Sequence, residues 1–164
     1  ISVVDSISKI LNDYGPDNIF TEYLQNAADA GATQFSIMLD RQFHSCDGIL
    51  NKKMSVGQGP ALLIWNDAEF TQEDFEGLRK MAMGSKRHDP EKIGRHGLGF
   101  NTAYHLTDLP SVVSGRHLVV FDPKHAYLPK RQTMNGVASD GAVRIDFIES
   151  QLAQKFPGQV APYQ

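Results

Sequence analysis

The chain has 164 residues, 41% hydrophobic and 21% charged, which is enough apolar material for a packed core and too much for intrinsic disorder. Its 16 Lys and Arg against 19 Asp and Glu give a net charge of −3, which argues against holding nucleic acid by bulk charge. No window reaches the roughly 18 consecutive apolar residues of a membrane helix, and the single cysteine, Cys46, excludes an internal disulfide and a cysteine-rich zinc site.

One domain is expected over 1–164, with the informative motifs in 1–121 and a tail of little signal in 122–164. The lone cysteine and the lack of a basic stretch followed by an apolar one at the N-terminus place the expectation in the cytoplasm.

Ile7, Ile10, Leu11 and Tyr14 repeat at helical spacing, so a first helix is expected over 1–14. Gly15, Pro16 and Asp17 break it. A second helix is expected over 18–29, with Phe20, Tyr23, Leu24 and Ala27 as its apolar stripe and Gly31 as its C-terminal cap. Residues 33–40 alternate, so Phe35, Ile37 and Leu39 predict one face of a half-buried strand. The continuous apolar run 61–65 predicts a buried strand that ends on Trp65 in the core.

Thr71 and Asp74 approximate a capping box that opens a third helix with Phe75, Leu78 and Ala82 inside. Residues 85–93 read as a charged surface loop. The glycine-rich stretch 94–100 leads into a short helix over 101–106. Residues 111–114 and 118–121 predict a hairpin about Gly115 and Arg116. Val143, Ile145 and Phe147 predict one further strand, and the tail from Ser150 offers no packed element to close the fold.

Two pieces carry chemistry. On the second helix Glu22, Asn26 and Asp29 recur at i, i+4 and i+7. Such a line of two carboxylates and an amide either holds a cation and a water molecule or is a solvated helix face. The second piece is Gly94-x-x-Gly97-x-Gly99-Phe100, with Arg95, His96 and Leu98 between the glycines. Its backbone N–H groups suit an anion, and a plain turn accounts for it equally well. It is not a Walker A loop, since Phe100-Asn101-Thr102 stands where Gly-Lys-Ser/Thr would be. It is not a dinucleotide fingerprint either, because Thr102 occupies the position of the last glycine. His44 and Cys46 lie close together, but no matching histidine spacing accompanies them, so they read as a surface loop.

Taken together, Glu22-x-x-x-Asn26-x-x-Asp29-Ala30 and the glycine motif resemble the GHKL ATPase superfamily of gyrase, MutL-type repair proteins, histidine kinases and the ninety-kilodalton heat-shock chaperone. Within it the chain resembles the sacsin repeats. The resemblance rests on the segments 22–31, 58–62, 70–75 and 93–110, and extends from about residue 7 to the tail that runs from Phe156 to Pro162.

The resemblance implies an α+β fold, a two-layer sandwich of the Bergerat type: a mixed, mostly antiparallel sheet with helices on one face. It implies truncation as well, because the late strand that carries a threonine near adenine in this family has no counterpart here. It implies that the chain binds ATP or ADP with Mg2+ and hydrolyses ATP slowly. Glu22 is then the base that activates water, and Asn26 the magnesium ligand. Asp29, with Asn66 or Asp67, lies on the adenine side. Gly94, Gly97, Gly99 and Phe100 approach the phosphates, with Lys86 and Arg95 as cations beside them and 84–93 in place of a lid. The implied setting is a sacsin-like co-chaperone that assists protein folding or quality control. Its client proteins and other chaperone components would be reached through the full-length protein, and neither nucleic acid nor membrane is an expected partner. Two rivals stand beside this: a nucleotide-independent pseudo-ATPase scaffold, and a histidine-kinase-like catalytic domain, which has no need of a base at Glu22.

Overall fold

The computed structural model describes residues 3–82, 99–128, 138–139 and 141–164. The fold is α+β. Its chain divides into two compact units, one made of 1–37 and 64–108 and the other of 38–63 and 109–164. Among the described residues the strands form two separate sheets, of two and of four strands, rather than a single mixed one.

In the first unit α1 (Val3–Asp13) packs against the 3-10 helix Asn101–His105. His105 Nε2 lies 2.6 Å from the Tyr14 carbonyl oxygen and ties that helix to the end of α1. A short turn, Pro16–Asn18, leads into α2 (Ile19–Asp29). Gly31 then adopts φ +77, the left-handed conformation that closes a helix and that glycine tolerates without steric cost. The buried face of α2 is not the expected stripe. Ile19 and Ala27 are buried and Tyr23 partly so, whereas Phe20 and Leu24 are about half exposed. Ile19, Tyr23 and Ala27 recur every fourth residue, so they share one side of the helix.

Helix α3 (Gln72–Ala82) begins with the expected box. Asp74 accepts from the Thr71 amide and hydroxyl, both at 2.7 Å, and donates its own amide to Thr71 Oγ1. The shorter Asp side chain thus does the work usually given to Glu. Phe75 and Leu78 are buried, as their spacing requires.

Strands β1 (Phe35–Asp40) and β2 (Ala61–Asn66) pair with each other, and the boundary between the units falls within both. Here the expectations fail. Ile37 and Leu39 are exposed rather than half-buried, and Trp65 is 52% exposed rather than in the core. Alternation predicts a strand but not what covers it, and a two-stranded sheet gives each strand only one neighbour.

The second unit holds an antiparallel sheet in the order β3-β4-β6-β5. Its strands are β3 (Ser111–Ser114), β4 (His117–Phe121), β5 (Ala138–Ser139) and β6 (Ala142–Asp146). The hairpin turns at Gly115 and Arg116, with Ser114 opposite His117. Leu118 lies opposite Ile145 and Val120 opposite Val143. Leu118, Val120 and Ile145 are core residues, together with Met54, Leu109, Leu152 and Val160.

The last two of these correct the expectation of an unpacked tail. The tail forms α4 (Leu152–Lys155), α5 (Pro157–Val160) and a closing 3-10 turn, Ala161–Tyr163. Each piece is too short for its periodicity to register. The buried Gln58 anchors the tail: its amide donates to the Ser45 and Gly158 carbonyls, both at 2.7 Å. Asp122, also buried, accepts from the amides of Ala126, Tyr127 and Leu128 and shapes the loop that follows β4.

Candidate functional site

Helix α2 presents Glu22 and Asn26 one turn apart, on the side next to Tyr23 and Ala27, and both are half-buried. Residues 99–102 lie against them. Gly99 and Phe100 are buried, and so are Asn101 and Thr102. A β-carbon on residue 99 would stand 2.7 Å from Glu22 Oε2, 3.1 Å from Asn26 Nδ2 and 3.2 Å from Glu22 Cβ. Real β-carbons do not approach this closely, so the end of the glycine motif rests on Glu22 and Asn26 because residue 99 has no side chain.

Two hydroxyls hold this approach. Thr102 Oγ1 donates to the Gly99 carbonyl at 2.6 Å. Tyr23 Oη donates to the next carbonyl, that of Phe100, at a longer 3.4 Å. The Tyr23 and Phe100 rings pack with centroids 6.5 Å apart and planes inclined by 59°. A tyrosine phenol is a neutral donor at physiological pH, and burial pushes that of Tyr23 further above its ordinary value.

The arrangement joins a carboxylate, a carboxamide and closely packed backbone across 77 residues of sequence, counted from Tyr23 to Phe100. A carboxylate in such a place can accept a proton from water, and a carboxamide oxygen can ligate a hard cation. A match to a family model now decides the kinship: the model for the Sacsin domain covers residues 1–164. The chain belongs to the Sacsin domain family. It is also similar to sacsin of Homo sapiens, with 36% identity over 162 residues, 98% of this chain and 3% of sacsin. The chain therefore spans about 3% of the length of that relative.

The other expected site residues of this Sacsin domain fall in three groups. Asp29, at the exposed end of α2, accepts from Gln25 Nε2 at 3.0 Å on the helix surface. Asn66 ends β2 and Asp67 follows it, and their carbonyl and carboxylate oxygens are engaged locally. Asn66 Oδ1 accepts from the Ala68 amide at 2.9 Å. Asp67 Oδ1 accepts from the amides of Thr33 and Gln34 at 2.8 and 2.9 Å, and Oδ2 accepts from the Thr33 hydroxyl. The Thr33 hydroxyl, with the Gln34 amide, holds the Asp67 carboxyl below its ordinary value. Lys86, Gly94, Arg95 and Gly97 lie outside the described residues, as do His96 and the 85–93 loop.

Tyr23 and Thr102 were not legible as site residues. Tyr23 reads as one member of an apolar stripe, and Thr102 as the residue that spoils a dinucleotide fingerprint. Away from this site, His44 Nε2 pairs with Asp40 Oδ2 at 2.7 Å, and Cys46 is exposed in the same loop. Among the described residues no group of three or more His, Cys, Asp or Glu side chains is placed to hold a metal ion. None of the described helices is long and apolar enough to cross a membrane.

Proposed function

We propose that this Sacsin domain binds ATP or ADP with Mg2+ where α2 meets the glycine motif, and that it hydrolyses ATP slowly in the service of protein folding or quality control. The observation that carries this is the contact of Gly99 with Glu22 and Asn26. It places the one glycine of the motif that is described beside the two residues that a nucleotide site of this kind needs. A solvated helix face would have no cause to be covered by buried backbone.

The residues suit the group. Asn26 brings its carboxamide against Gly99, and a carboxamide oxygen suits a hard cation. Magnesium keeps several waters and takes phosphate oxygens, so one carboxamide from the protein suffices. When bound, the ion would neutralise charge on the phosphates. Glu22 would accept the proton of the attacking water. Adenine recognition is less well provided for: Asp67 is committed to Thr33 and Gln34 and Asn66 Oδ1 to the Ala68 amide, so it would draw on the Asn66 amide nitrogen and on Asp29.

That same commitment favours a second reading, a scaffold of the same architecture that binds protein partners and no nucleotide. Calorimetric titration of ADP and ATP, with and without Mg2+, separates the two. Binding that depends on Mg2+ and loses that dependence in Asn26→Ala supports the nucleotide site. No heat at millimolar nucleotide leaves the scaffold.

A further inference from the structure

Resting on the nucleotide reading above, we propose that Tyr23 and Thr102 are positioning residues of the site: their hydroxyls clamp two successive carbonyls, those of Gly99 and Phe100, and so hold this end of the glycine motif on Glu22 and Asn26. Each element of the clamp is on a different part of the chain. Tyr23 belongs to α2 itself, directly after Glu22. Thr102 lies in the 3-10 helix that follows the motif, and its side chain has no exposure at all.

The two contacts differ in kind. The Thr102 bond is short and dry, and a hydroxyl in that setting would otherwise be a buried polar group without compensation. The Tyr23 bond is long, so ring packing on Phe100 supplies most of that contact and the hydroxyl adds direction. A peptide unit is planar, so tying down the carbonyls of residues 99 and 100 also sets the planes of the two peptides that follow them. Backbone that must approach phosphate needs that orientation fixed before the ligand arrives.

A threonine hydroxyl that bonds back to the carbonyl three residues before it is common within helices, and a purely structural role would express itself in stability alone. The test must therefore read something else. Thr102→Val keeps the shape and removes the hydroxyl, Thr102→Ser keeps the hydroxyl, and Tyr23→Phe removes only the phenolic oxygen. Amide hydrogen exchange across 99–103 is measured on the full chain without nucleotide, and ADP affinity is measured with Mg2+.

The expected result is faster exchange at these amides and ADP affinity lower by about fivefold in Thr102→Val, wild-type behaviour in Thr102→Ser, and a smaller effect of the same sign in Tyr23→Phe. Should Thr102→Val fail to fold, Tyr23→Phe carries the test, since it leaves the packing intact. Unchanged exchange in both variants overturns the clamp. Faster exchange with unchanged ADP affinity overturns its role in positioning. A wild-type chain that binds no ADP overturns the nucleotide reading and this inference with it, and differs from the other two outcomes in that the failure precedes any substitution.

Discussion

Gly99 and Glu22 are 77 residues apart in sequence, yet the backbone of one leaves no room for a methyl group against the carboxylate of the other. The nearest atom is the end of a flexible side chain, so a β-carbon would be accommodated by turning the Glu22 carboxylate aside, with a small shift away from Glu22 Cβ at 3.2 Å and Asn26 Nδ2 at 3.1 Å. The same contact therefore predicts different outcomes for stability and for function.

Gly99→Ala should change stability by no more than about 1 kcal/mol, because alanine recovers backbone entropy while Glu22 rotates away. ADP binding and ATP turnover should fall by at least about tenfold, since the displaced carboxylate and Asn26 no longer meet the motif. Thermal melting and calorimetry on one preparation check both halves. A large loss of stability with normal binding would show that the contact is only structural.

Glu22→Ala should abolish hydrolysis and leave nucleotide affinity within a few-fold. A general base contributes about 10²- to 10⁴-fold in rate and acts on water rather than on the nucleotide. Asn26→Ala should show the opposite balance, with affinity lost first and only in the presence of Mg2+. Phosphate release measured beside binding distinguishes them, and wild-type turnover by a contaminant-free Glu22→Ala preparation would remove Glu22 from the role of base.

Acid should destabilise the second unit in two stages. The Arg116 guanidinium, which bonds Asp146 Oδ2, holds the Asp146 carboxyl at about 2, below its ordinary 3.8. That stabilisation is complete above pH 3.8 and disappears as the pH falls to about 2, because the unfolded chain takes up the proton first. His117 is also lowered from its ordinary 6.5, by burial and then by Arg144. The Arg144 Nη2 lies 3.3 and 3.2 Å from the two ring nitrogens, so it approaches the face of the imidazole. Stability should then begin to fall as the pH drops through 6.5, well before the carboxylates respond. Melting temperature followed from pH 8 to pH 2 should show both stages. His117→Gln should remove the first, and Asp146→Asn should flatten the second.

Gly158→Ala should be among the most damaging single changes in the tail. A β-carbon there would overlap the Asp47 carbonyl oxygen and crowd that of Ser45, and neither is the loose end of a side chain. The carbonyl of Gly158 also receives the buried Gln58 amide. Separating the tail from the loop should cost about 3 kcal/mol, a fall in melting temperature on the order of ten degrees. A change of only a degree or two would mean that the tail contributes little to the core.

The elements that were readable from the chain share one property: their signals are local. The Thr71–Asp74 box, the Gly31 cap and the hairpin about Gly115 are each decided by residues within a few positions of one another. Strand alternation in 33–40 was equally plain, but burial was not, since cover comes from elsewhere in the chain. Ile37, Leu39 and Trp65 are exposed for that reason.

The candidate site divides along the same line. Spacing alone shows that Glu22 and Asn26 share a helix face, and residue type alone shows that the glycines admit close backbone approach. Neither shows that Gly99 lies on Glu22, that Thr102 and Tyr23 hold it there, or that Asp67 is already engaged by Thr33 and Gln34. The Gln58 bridge to Gly158 spans 100 residues and left no periodic trace in the tail. Periodicity records which way a side chain faces along its own element. Which partner waits on that side depends on how distant segments close on one another, and that is decided only when the whole chain packs.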